Sequence, residues 1–262
     1  MPIRDTPWPA GTPCWVDLAV PDLPAATAFY EAVLGWTVTD LGEQYGHYSL
    51  AGIDGNDAAG IGPLMEEGQV TAWTLYFATD DIAATAKLVT ENGGSLFAEP
   101  MEVPGQGHMA VAVDPTGAVI GLWQATDMIG ARLHNEPGGL VWEDGRSTDP
   151  EASRAFYTAV FGFTYDTFPG APGGYGTFHQ PGGGDPLGGL GGQFDAPEGT
   201  PSHWLVYFAV ADLDEALQMV RDGDGHVVDG PDDSQFGRMA TVEDPWGAGF
   251  ALIQPPAGRP TG

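Results

Sequence analysis

Hydrophobic residues fall in short runs along this chain, each ended by Pro, Gly or Asp. Residues 15–20 (WVDLAV) are mostly apolar and stop at Pro21-Asp22, the pattern of a half-buried strand. Residues 24–34 place Ala28, Phe29 and Val33 at spacings that share one helix face, and Gly35 ends the run. Apolar pieces at 36–39, 47–50 and 58–64 predict three further strands. The plan then restarts, with a strand at 73–78, Asp80-Asp81 as a helix cap, a helix at 82–92, Gly93-Gly94 as its stop, and strands ending at 118–124. Each unit therefore reads as strand, helix, then three strands.

The same landmarks return in the second half of the chain. Asp22-Leu23, Phe29-Tyr30 and Leu34-Gly35-Trp36 recur as Asp149-Pro150, Phe156-Tyr157 and Phe161-Gly162-Phe163, 127 residues on. Trp73-x-x-Tyr76-Phe77 with Asp81-Ile82 recurs as Trp204-x-x-Tyr207-Phe208 with Asp212-Leu213, and Asp114-Pro115-x-Gly117 as Asp244-Pro245-x-Gly247. A repeat this long is a domain rather than a solenoid unit. The expected organisation is an arm over 1–10, a first domain over 11–126, a linker over 127–137, a second domain over 138–256 and a tail over 257–262.

An Asp-Leu or Asp-Ile helix start, Phe-Tyr near the helix end, Leu-Gly-Trp after it and Asp-Pro-x-Gly before the last strand make a pattern that resembles the vicinal oxygen chelate superfamily. That superfamily includes glyoxalase I, extradiol dioxygenases, and fosfomycin and bleomycin resistance proteins. The resemblance covers roughly residues 10–125 and 137–255. It implies an α+β fold: tandem vicinal oxygen chelate domains built from four βαβββ units that form cup-shaped mixed sheets. Gly11-Thr12-Pro13-x-Trp15-Val16-Asp17-Leu18 and Asp114-Pro115-Thr116-Gly117-Ala118 with Gly121-Leu122-Trp123-Gln124 are similar to an actinobacterial two-domain glyoxalase-like branch. A mycobacterial antigen and accessory proteins of anthracycline pathways belong to that branch.

Composition narrows the partners. The chain has 262 residues, 42% of them hydrophobic, enough for two cores of ordinary domain size. With 36 acidic against 8 basic residues the formal charge is −28, which repels nucleic acid and anionic membrane surfaces and raises the local concentration of cations. A solubilising surface is the plainer reading of that charge. One cysteine, Cys14, excludes an intramolecular disulfide. Neither a signal-like start nor an apolar run of about 18 residues is evident, so a cytoplasmic monomer or homodimer is expected.

In the resembling family, metal ligands (His, Gln or Glu) sit on the first and last strands of each unit. The first-strand places here hold Trp15, Thr74, Trp142 and Leu205, and the last-strand places Gly121 and Ala251, with Gly62 and Gly191 in the looser units. None is an ordinary ligand, so no metal or other cofactor is expected. Bulky groups opposite small ones suggest an aromatic slot instead. Counting by twos along the strands adds Asp17, Tyr76, Trp123, Asp144, His203 and Tyr207 to the expected cup lining. Trp73, Phe77, Trp204 and Phe208 fall on the opposite face, as core. For Trp15 and Trp142, ligand contact and plain cavity filling weigh equally.

The remaining motifs are weaker. The six histidines lack metal-binding spacing, although a site of His203 with Asp144 or Glu143 stays open. Cys14, of outward parity, reads as a buried thiol. Glycine runs at 182–184 and 188–192 lack the helix context of a phosphate loop. Segments 100–108 and 169–175 are placed as rim loops with lid character, offering Met101, Val103 and Tyr175. The favoured function is metal-independent binding of a planar aromatic small molecule, with or without an amine, for sequestration, resistance or support of a tailoring oxygenase. The alternative is an enzyme: a glyoxalase-like lyase acting on 2-oxoaldehydes, or a cofactor-free oxygenase or hydroxylase.

Overall fold

A computed structural model describes residues 3–256 apart from 67, 195 and 198; the tail 257–262 and the first two residues of the arm lie outside the described residues. The first unit comprises β1 (Pro13–Val20), α1 (Leu23–Leu34), β2 (Thr37–Asp40), β3 (Ser49–Ile53) and β4 (Asn56–Pro63). The second comprises β5 (Trp73–Ala78), α2 (Ile82–Glu91), β6 (Ser95–Val103), β7 (Gly107–Val113) and β8 (Val119–Ala125). The third has β9 (Leu140–Ser147), α3 (Pro150–Phe161), β10 (Thr164–Thr167), β11 (Gly176–His179) and β12 (Gly188–Gly192). The fourth has β13 (His203–Ala209), α4 (Leu213–Asp222), β14 (His226–Ser234), β15 (Gly237–Glu243) and β16 (Gly249–Gln254).

Units pair into two mixed sheets of eight strands each, ordered β2-β3-β4-β1-β5-β8-β7-β6 and β10-β11-β12-β9-β13-β16-β15-β14. The two first strands meet antiparallel at the centre, β1 on β5 and β9 on β13, with a parallel neighbour beyond each. The repeated aspartates cap the helices: Asp22, Asp81, Asp149 and Asp212 accept from backbone N–H groups three residues on, at 3.0–3.1 Å. Gly35 and Gly162, at φ 70° and 74°, close α1 and α3 in the left-handed conformation that favours glycine.

Helix α1 buries Ala26, Phe29, Tyr30, Val33 and Leu34, so its inward face is turned from the expected one and Ala28 is exposed. Segment 100–108 is not a rim loop. It forms the end of β6, a tight turn and the start of β7, with Met101 opposite Met109 and Glu102 opposite His108. Cys14 is a buried thiol, as expected, in one apolar cluster with Trp15 and Tyr76 where the pairing of β1 with β5 shifts register between Pro13 and Trp15. Burial raises its thiol pKa well above the ordinary range.

The two sheets share one core. Trp73 meets Phe208 at 5.2 Å between ring centroids, Phe77 meets Trp204 at 5.4 Å, and Trp36 meets Phe208 at 5.3 Å. Helix α1 packs on α4 and α2 on α3. Tyr30 of the first domain donates to Asp244 of the second at 3.0 Å, and Tyr157 of the second donates to Asp114 of the first at 3.1 Å. Both aspartates come from the repeated Asp-Pro-x-Gly turns, where their other oxygen accepts from the turn's own N–H groups. Arm and linker also lie together, with Ile3 bridged to Leu133 and Trp8 donating to the Ala131 carbonyl.

Candidate functional site: two aromatic cups

The face of each sheet away from the shared core carries the residues expected to line the cups. In the first cup, β1 presents Trp15 and Asp17 on one face, opposite Tyr76 and Thr74 of β5. Tyr76 donates to Asp17 Oδ2 at 2.9 Å and Tyr48 to the same oxygen at 3.3 Å, while the Trp15 indole donates to Tyr48 Oη at 2.9 Å. Trp15 is 3% and Tyr76 5% exposed, so this constellation is closed over. Trp123 donates to the Met128 carbonyl at 2.8 Å and joins Trp15 and Tyr76 in one apolar cluster with Met109 and Val103. Thr74 sits half-buried beside Asp17.

Burial pushes the Asp17 carboxyl up to about 7, even though the two phenols pull it the other way. Asp17 keeps some exposure as a whole residue, yet the loss of solvent around its carboxyl outweighs the hydrogen bonds. Tyr48 and Tyr76 are pushed up in turn by their own burial and by the neighbouring carboxylate.

The second cup repeats the arrangement with one addition. Asp144 accepts from the Trp142 indole at 2.9 Å and Tyr175 at 2.8 Å on Oδ1, and from Tyr207 at 2.9 Å on Oδ2. Arg146, two residues on along β9, donates to Asp144 Oδ2 at 3.2 Å and to Tyr207 Oη at 3.1 Å. Its guanidinium lies over the Phe194 ring at 4.3 Å, and Phe194 in turn meets Tyr175 at 5.9 Å. Leu205, Tyr207 and Ala251 form the apolar floor with half-buried Trp142, Val141 and Met239. His203 stands opposite Arg146 in register, with Nδ1 at 3.0 Å from the Pro201 carbonyl; burial, and secondarily Arg146, lower its pKa. Glu143 points away from Asp144 by strand alternation and is buried, its pKa raised by desolvation and then by Asp144.

The small residues do not leave a slot beside the indoles, as the sequence suggested; tyrosine rings occupy that space. A Cβ on Gly121 would stand 2.0 Å from the Tyr76 ring, one on Gly60 1.7 Å from Tyr48 Oη, and one on Gly189 1.9 Å from Tyr175 Oη. Tyr175, expected as an apolar rim contact, is instead a hydrogen-bond donor to Asp144. Tyr48, Arg146 and Phe194 were not among the expected lining. Tyr48 and Tyr175 are separated by the same 127 residues as Trp15 and Trp142, and Arg146 follows Asp144 at the two-residue spacing of one strand face. Those were the signals available for them.

The family's metal chemistry needs three or more convergent donors. Among the described residues no group of three or more His, Cys, Asp or Glu is placed to hold an ion. Each cup offers one inward carboxylate, Asp17 bound by two phenols and Asp144 by an indole and two phenols, and the first-strand ligand places hold Trp15, Thr74, Trp142 and Leu205. The donor set does not fit a divalent ion.

Tandem eight-stranded cups built from four βαβββ units define the vicinal oxygen chelate class of fold. The chain belongs to the Glyoxalase/Bleomycin resistance protein/Dioxygenase superfamily, whose family profile matches residues 14–147 and 145–252. It is 37% identical over 252 residues to the glyoxylase-named CFP32 of Mycobacterium bovis, covering 94% of this chain and 95% of that one. It is 34% identical over 275 residues to the anthracycline biosynthesis protein DnrV of Streptomyces peucetius, covering 95% of each. Among solved structures, the Mn(II)-bound glyoxalase from Novosphingobium aromaticivorans aligns with TM-score 0.65 at 15% identity, over 94% of this chain and 82% of that one, a likeness of fold. No helix among the described residues is long and apolar enough to cross a membrane.

Proposed function

We propose that the protein is a metal-independent small-molecule binding protein that holds a planar aromatic ligand in its second cup. The observation that carries this reading is the half-buried wall of Trp142 and Tyr175, both fixed by hydrogen bonds to one buried carboxylate. A wall locked in place loses little side-chain entropy when a flat ligand stacks on it. Aromatic stacking then adds about 0.5–1.5 kcal/mol to the burial of apolar area. The relative named for anthracycline biosynthesis supports a polycyclic aromatic ligand, held for sequestration or on behalf of a tailoring enzyme. The first cup, with Trp15 and Tyr76 closed over, serves as structure in this reading.

Titration of the protein with 9-aminoacridine and with anthraquinone-2-carboxylate, followed by calorimetry, tests the proposal. At least one planar tricycle is expected to bind with a dissociation constant in the micromolar range, equivalent to about −8 kcal/mol. Trp142→Ala is expected to weaken that binding by roughly 1–3 kcal/mol, whereas Trp15→Ala leaves it unchanged. Absence of binding, or equal affinity in the Trp142 variant, refutes the reading.

A catalytic reading rests on a different observation, the Asp17 carboxyl raised to about 7 beside two phenols. A neutral acid there could donate a proton near neutrality, as a lyase acting on 2-oxoaldehyde adducts requires. Turnover of methylglyoxal with a thiol in the presence of chelator, abolished by Asp17→Asn, would favour it.

A further inference from the structure

The molecule contains its own control experiment for the role of Arg146. Trp15, Asp17 and Tyr48 correspond to Trp142, Asp144 and Tyr175 at 127 residues' distance, and position 146 corresponds to Ala19. The first cup holds its carboxylate with two phenols, at 2.9 and 3.3 Å, and, among the described residues, with no arginine. A cation is therefore not needed to assemble the constellation. What Arg146 adds must be sought in its unused donors.

Those donors are specific. Both hydrogen bonds of Arg146, to Asp144 and Tyr207, leave from Nη2. Among the described residues its buried Nε has no hydrogen-bond partner, a condition that calls for an explanation in any folded protein. The side chain is 20% exposed, and the plane of the guanidinium is held over Phe194 at 4.3 Å, beside the Trp142 and Tyr175 wall. An arginine pinned on one edge by a carboxylate and on one face by a ring presents its remaining N–H groups in a fixed direction. Asp144 already balances its charge, so its partner can be an uncharged acceptor as well as an ionised one.

We propose that Arg146 is the ligand-selecting residue of the second cup, and that it selects planar aromatics carrying an acceptor oxygen, a ring carbonyl or an ionised ring substituent. This rests on the proposed binding function and sharpens it. The overall charge of −28 gathers cations near the surface, but the charged group that meets the ligand in this cup is a guanidinium. Oxygen-bearing rings are therefore preferred over aminated ones at the site itself, against the surface field.

The test compares three probes by calorimetry on the full chain: anthraquinone-2-carboxylate, the neutral 2-(hydroxymethyl)anthraquinone, and 9-aminoacridine, which has no oxygen. Arg146→Met keeps the stem and removes the donors, giving the second cup the arginine-free arrangement of the first. It is expected to lose about ten-fold or more in affinity for anthraquinone-2-carboxylate, the loss of a hydrogen bond to a charged group, with 9-aminoacridine changed less than about two-fold. An equal loss for the neutral quinone assigns the contact to a ring carbonyl, and a loss confined to the carboxylate assigns it to an ionised oxygen; either supports selection. Equal loss for all three probes, or no loss for any, overturns it and leaves the binding function standing. If none of the probes binds the unaltered protein, both proposals fall. Should Arg146→Met not melt cooperatively, Arg146→Lys keeps the charge without the planar fork and carries the same comparison: a loss restricted to the oxygen-bearing probes supports the proposal, and a uniform loss sinks it.

Discussion

A single aspartate sets the chemistry of each cup, and the two differ in how their charge is met. Asp144 has Arg146 beside it; among the described residues Asp17 has two phenols, one of them bound in turn by the Trp15 indole. The Asp17 carboxyl moves from 3.8, its ordinary value, to about 7 in the fold, mainly because burial disfavours the charge. A folded pKa above the unfolded one means that the folded chain holds the proton more tightly. The stabilisation from Asp17 is thus complete below about pH 4 and is lost as pH rises through about 7. Melting temperature is expected to fall between about pH 5 and pH 8 more steeply in the natural protein than in Asp17→Asn. The amide still accepts from both tyrosines but does not ionise. Parallel slopes in the two proteins would show that the carboxyl is not desolvated.

At the scale of the element, the strands that carry glycines are shaped by the rings that lie on them. Gly121 on β8 sits directly under Tyr76, its partner in register on β5. Gly121→Ala is expected to destabilise the protein by about 1–3 kcal/mol, read from thermal or urea melts, because the ring cannot move without breaking its bond to Asp17. The corresponding Ala251 already carries a Cβ beside Tyr207. Much of this scale was legible in the sequence. The helix caps, the glycine stops and the two-residue alternation that set Trp15 with Asp17 and Trp142 with Asp144 are local rules, and local rules can be read from a chain. What filled the space above the glycines could not be read. Tyr48 and Tyr175 lie just before short strands, and only the pairing of those strands with their neighbours brings the phenols over Gly60 and Gly189. Segment 100–108 misled for a related reason: its prolines and glycines resemble a loop, yet it is a hairpin whose cross-strand pairs hold it at the sheet edge.

For the whole molecule, the aromatic layer between the sheets matters most. Trp36 and Trp73 on one side, and Trp204, Phe208 and Phe250 on the other, are buried by the opposite half as well as by their own. Halves separated near Asn135 would each expose that layer, a patch far larger than soluble single domains tolerate. Neither half alone is expected to melt cooperatively or run as a monomer in size-exclusion chromatography. Mixing them is expected to restore a sharp transition. Two independently folded, monomeric halves would mean that the layer contributes little.

The crossed contacts of Tyr30 with Asp244 and Tyr157 with Asp114 are reciprocal between the halves. A lone half would carry a buried tyrosine hydroxyl and a turn carboxylate facing outward, each wanting what a second copy supplies. Two identical halves would satisfy both at once about a two-fold axis, since the contact is reciprocal. In one continuous chain the same reciprocal contacts hold together two cups that carry different residues, Ala19 in one and Arg146 in the other.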